Sequence, residues 1–118
     1  MRLGDLYLQR EPARALQLYD EVLATFSDAS QEPRLMYHRG LALYGLGRSA
    51  DALAVFHALD ALRPPPEIRS FGRFYLGELY RELGRQEESR RWYDQALRSD
   101  PPQALREAIE QRLQSPQK

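Results

Sequence analysis

His38 and His57 are the only imidazoles in this chain, and it has no cysteine. Two histidines and a carboxylate can hold a zinc ion. These two fall on different predicted helices, and no third ligand is spaced to complete a site. The absence of cysteine excludes disulfides and thiolate metal sites. Two carboxylate pairs, Glu87-Glu88 and Glu107/Glu110, could supply an acid and a base. Each pair sits among arginines on a helix-forming run and reads as a solvated helix face. Arg81, Arg85, Arg90, Arg91 and Arg98 could form a basic patch. Glu78, Glu82, Glu87, Glu88 and Asp94 balance it along the same stretch. No glycine-rich phosphate loop follows a strand. The expectation is a non-enzyme with no metal and no cofactor.

The length, 118 residues, suits one domain. Basic and acidic residues number 17 each, so no net field draws the chain to nucleic acid or an anionic membrane. Sixteen of the basic residues are arginine, the only lysine is Lys118, and there is no asparagine. No apolar run approaches the roughly 20 residues of a membrane-spanning helix. The opening MRLGDLYLQREP is charged and broken too early for a signal peptide. A cysteine-free chain fits either cytoplasm or periplasm.

These residues are positioned by a repeat. Ala15, Ala52 and Ser89 are 37 apart each time, as are Tyr19, Phe56 and Tyr93, and Val22, Leu59 and Ala96. Pro64 and Pro101 keep the same interval. In each unit a small residue stands four before a large aromatic, on one helix face. Gly40 and Gly77 let a partner helix approach closely. Gly47 and Gly84 separate two amphipathic runs, where a left-handed cap is wanted. Helices are predicted near 33–46, 49–62, 67–83 and 86–99. Pro64-Pro65-Pro66 should stop one helix and prime the next.

The stretch Leu76 to Pro101, with Leu76-Gly77, Tyr80, Gly84, Ser89, Tyr93, Ala96 and Pro101 in order, resembles a tetratricopeptide repeat (TPR). The resemblance covers nearly the whole chain. It implies an all-α, TPR-like α-solenoid of about three helical hairpins plus a C-terminal capping helix. The repeats span about 1–28, 33–66 and 70–101, and the capping helix about 102–115. The 37-residue period exceeds the usual 34. The first hairpin is truncated, so the chain is expected to be a fragment of a longer repeat protein, with an open N-terminal face able to self-associate. In the closing helix Leu105, Ala108, Ile109 and Leu113 form the apolar stripe. Arg106, Glu107, Glu110, Gln111 and Arg112 form the polar face, and Asp100 is the expected cap.

TPR hairpins stack with their first helices lining a concave groove that binds other proteins. The motif places Tyr37, His38, Leu41 and Tyr44 toward that face in the second unit, and Phe74, Tyr75, Glu78 and Arg81 in the third. Trp92 matches Leu18 and Val55, and is expected under the capping helix or on the convex side. TPR adaptors of heat-shock chaperones clamp a peptide carboxylate with lysine and asparagine. This chain has neither at those positions. Its Arg/Ala/Leu-rich texture and the ending DPPQALREAIEQRL are similar to periplasmic TPR arrays of bacterial outer-membrane proteins that secrete exopolysaccharide or assemble surface proteins. A periplasmic scaffold with a protein partner is the expectation, and a free-standing cytoplasmic adaptor is the alternative.

Overall fold

Proline starts the first helix of each hairpin in the computed structural model, which describes residues 32–114. Helix α1 (Pro33–Gly45) and helix α3 (Pro66–Glu82) carry proline at the first position, after an extended residue at Glu32 and at Pro65. That position needs no N–H, and the fixed φ suits the helix. The return helices are α2 (Ser49–Ala61) and α4 (Gln86–Leu97), and α5 (Gln103–Gln114) closes the series. The chain divides into two compact units, Met1–Leu62 and Arg63–Lys118. The first holds the α1–α2 hairpin and the second holds α3, α4 and α5. No strand occurs among the described residues, and none of their helices is long and apolar enough to cross a membrane. The first repeat, expected to be truncated and carrying Ala15 and Tyr19, lies outside the described residues.

Each hairpin turns on a Gly-Arg pair. Gly47 has φ +76° and Gly84 has φ +77°. Gly47 N–H donates to the Tyr44 carbonyl and Arg48 N–H to the Leu43 carbonyl, both at 3.0 Å. Gly84 repeats this onto Arg81 at 3.0 Å, and Arg85 onto Tyr80 at 2.9 Å. These are the two bonds of a Schellman cap, and they satisfy carbonyls that the helix end leaves open. The arginine then starts the return helix and pairs with an acid three residues on. Arg48 reaches Asp51, and Arg85 reaches Glu88, each at 2.8 Å. The first pair is exposed and the second largely so, and each adds at most about 1 kcal/mol. Arg85 also lies over the Tyr80 ring, 5.5 Å from its centroid.

The hairpins close by placing an aromatic ring against a glycine. A Cβ on Gly40 would stand 2.8 Å from Phe56 Cζ, and one on Gly77 would stand 2.6 Å from Tyr93 Cδ1. Any side chain there would hold the helices apart. Ala42, Leu43, Ala52, Phe56 and Leu59 are buried in the first unit. In the second unit Tyr93, Ala96, Leu105 and Ile109 form one core, with Phe71, Phe74, Leu97 and Leu113 packed on it. The apolar stripe of α5 thus packs as its sequence pattern predicts.

Two expectations for the closing helix need correction. It starts at Gln103, so Asp100 lies ahead of the capping position. Asp100 has φ +57° and shapes the connector instead. Arg63, which is 37 residues earlier, has φ +52°. Each precedes a buried proline, Pro64 or Pro101. The second correction concerns Arg112. It does not simply face solvent with the polar side of α5, because its Nε donates to Glu78 Oε1 at 2.7 Å.

Candidate partner-binding surface

On α1, Tyr37, Leu41 and Tyr44 follow the i, i+4, i+7 spacing of one helix face, with His38 beside Tyr37. All four are partly exposed. Tyr37 meets His38 edge-on, with centroids 5.5 Å apart, and Phe56 at 6.3 Å. Its ring therefore joins the surface of α1 to the core aromatic of α2. Tyr44 lies one turn before the Gly47 cap.

On α3, Phe74, Glu78 and Arg81 repeat the same spacing, with Tyr75 next to Phe74. They divide into two kinds. Phe74 packs on the core and lies 6.0 Å from the Tyr93 ring. Glu78 is only 8% exposed. A carboxylate so deep needs partners, and Glu78 has two on one oxygen: Tyr93 O–H and Arg112 Nε each donate to Oε1 at 2.7 Å. Tyr75 and Arg81 stay partly exposed.

The two phenols feel this carboxylate. Burial raises the Tyr93 hydroxyl well above its ordinary 10.0, and the hydrogen bond to Glu78 and the charge of Glu78 add to the rise. The Ser89 hydrogen bond and the Arg81 charge oppose it. Burial also raises Tyr75, with a second push from Glu78. Both phenols therefore stay neutral at physiological pH, and Tyr93 keeps the proton it donates to Glu78.

The third repeat carries polar groups where the second has apolar ones. Ser89 stands where the second has Ala52, and its Oγ donates to the Gly77 carbonyl at 2.8 Å. Tyr93 stands for Phe56 and Glu78 for Leu41. Arg73 braces the far end of α4, with its Nη1 2.7 Å from Ser99 Oγ and 3.3 Å from the Gln95 carbonyl. A guanidinium suits the negative end of a helix. Arg73 and Arg112 were not among the expected site residues, and Ser89 was expected only as the small residue of the repeat. Trp92 is partly buried. Glu87, Glu107 and Glu110 are exposed, as are Arg90 and Arg91. His57 is exposed on α2, whereas His38 is on α1. Among the described residues no three His, Asp or Glu side chains are grouped as a metal site.

Two family models described as tetratricopeptide repeat match the chain, one over residues 2–65 and the other over residues 70–102. The chain belongs to the tetratricopeptide repeat family. The all-α, TPR-like hairpins expected from the repeat are therefore present. TPR repeats are typically non-catalytic modules that serve as protein–protein interaction scaffolds. No curated protein and no solved structure matches the chain.

Proposed function

We propose that this TPR chain is a non-catalytic scaffold within a bacterial envelope protein that secretes exopolysaccharide, and that the first-helix face of each unit binds partner protein. One observation carries the binding surface. Tyr37, His38, Leu41 and Tyr44 on α1, and Tyr75 and Arg81 on α3, stay partly exposed instead of closing into the hairpin cores. Half-exposed aromatics with a polar tip suit protein recognition at low entropic cost. On α3, Phe74 and Glu78 are tied into the packing of their own unit. The envelope setting is favoured by the Arg/Ala/Leu-rich texture and the proline-led closing helix.

The test is capture of partners by the immobilised chain and by a Tyr44→Ala/Tyr75→Ala variant with an unchanged circular dichroism spectrum. An envelope export component retained by the wild type and lost by the variant is the expected result. Equal retention by both would remove these faces from the site. Cytoplasmic chaperones or regulators in place of envelope proteins would move the reading to a free-standing adaptor. Recovery of the chain alone would replace partner binding by self-association.

A further inference from the structure

We infer that α5 is an exchangeable arm, and that two copies of this chain form a closed dimer by trading it. The arm is held by the apolar stripe Leu105, Ile109 and Leu113 and by the Arg112–Glu78 clasp at 2.7 Å. Every one of these contacts is equally available to the α5 of a second copy. What differs between the two arrangements is the connector.

That connector is held in an unfavourable shape when α5 folds back on its own hairpin. Asp100 sits at φ +57°, a region that costs residues with a Cβ, although aspartate enters it more readily than most. Pro101 follows directly, and a proline pushes the residue before it toward extended backbone. Extending Asp100 relieves both conflicts and carries α5 away from its own seat. Pro101 and Pro102 stiffen the straightened connector. The pivot falls at Asp100 because Ser99 is tied down: its Oγ donates to the Gln95 carbonyl and accepts from Arg73, both at 2.7 Å.

The clasp also makes α5 specific to this seat. The residue 37 before Glu78 is Leu41, and the residue 37 before Arg112 is Tyr75. The preceding repeat therefore has no matching pair of charges. With one seat and one arm per chain, reciprocal exchange about a two-fold axis fills both seats of a pair.

The test is a charge exchange in the 118-residue chain. Glu78→Arg alone and Arg112→Glu alone each place like charges across the clasp. The two variants are refolded from denaturant separately and then together, and their masses are read by native mass spectrometry. A swapped heterodimer alone restores both pairs, because each seat receives the opposite charge. The expected result is a species of twice the chain mass in the mixture and little in either variant alone. The double variant in one chain is the folding control. If the single variants lose helicity, recovery on mixing supports the exchange. A mixture that behaves as the sum of its parts, while the double variant folds, overturns it. Exchange at the Arg63 connector would also leave the mixture unrescued, since Glu78 and Arg112 would travel together. Should the double variant fail to fold, wild type and Asp100→Gly refolded at high concentration decide. A wild-type dimer that falls several-fold in Asp100→Gly supports the pivot. A wild type that stays monomeric, or a dimer unmoved by Asp100→Gly, overturns it.

Discussion

A Cβ on Gly77 would stand 2.6 Å from the Tyr93 ring, closer than a real side chain tolerates. Helix propensity alone favours alanine over glycine by about 1 kcal/mol. The ring is buried and its hydroxyl is held by Glu78, so it cannot step aside. Gly77→Ala is expected to destabilise the chain by about 1–3 kcal/mol through overpacking. Gly40→Ala should cost less, because the Phe56 contact is at the ring tip, at 2.8 Å. Urea titrations of both variants check the order.

Gly84 poses the opposite problem. A Cβ there meets nothing within 4 Å, but φ is +77°. Gly84→Ala should cost about 1 kcal/mol for the left-handed backbone alone. Gly84→Asn should lose less, because asparagine tolerates that region. Equal melting midpoints for the two variants would contradict this cause.

Tyr93→Phe copies the residue that the preceding repeat uses, Phe56. The ring packing should survive. Glu78 loses one of its two donors, and a loss of about 1–3 kcal/mol is expected. Thermal unfolding at neutral pH measures it.

Alkaline pH should act through the same hydroxyl. Its folded-state value lies above the ordinary 10.0, so the native state holds the proton after the unfolded chain has lost it. The stabilisation is complete below pH 10 and declines as pH rises toward the folded-state value. Tyr75 adds a smaller effect of the same sign. Wild type should lose stability steadily above pH 10, and Tyr93→Phe should lose it less steeply. Parallel profiles would show that Tyr93 does not titrate as its surroundings require.

Phe74 and Tyr44 should part company, although both occupy first-helix faces. Phe74 packs on Tyr93, so Phe74→Ala should destabilise by about 2–3 kcal/mol, below the full core value because it is only partly buried. Tyr44→Ala should move stability by less than about 1 kcal/mol. Binding measurements beside melting curves separate the two.

Most of the hairpin architecture was legible in the sequence because it follows from residues with few alternatives. Only glycine fits under an aromatic ring, and glycine is strongly preferred at φ +76°. Those positions recur 37 residues apart and mark the turns and crossings. The polar cluster was harder to read. Glu78 and Arg112 are 34 residues apart on different helices, and each looks like one more surface charge on an amphipathic run. A signal was nevertheless present. Ala52, Phe56 and Leu41 become Ser89, Tyr93 and Glu78, so three apolar positions turn polar together in the third repeat. The left-handed backbone at Arg63 and Asp100 left no such mark, since neither residue is glycine.

The hairpin turns have a consequence for how quickly the chain finds its structure. Each Schellman cap bonds only to the helix it ends, as Arg48 does to Leu43 and Arg85 to Tyr80. Chain reversal therefore needs no contact from elsewhere, and short-range closures of this kind complete in microseconds or less. The bond between Arg112 and Glu78 must wait for α3, α4 and the connector to be in place. Folding should show a fast helical phase with the Tyr93 environment still open, followed by a slower step that seats α5. Removing Arg112 should then accelerate unfolding and leave the fast phase unchanged.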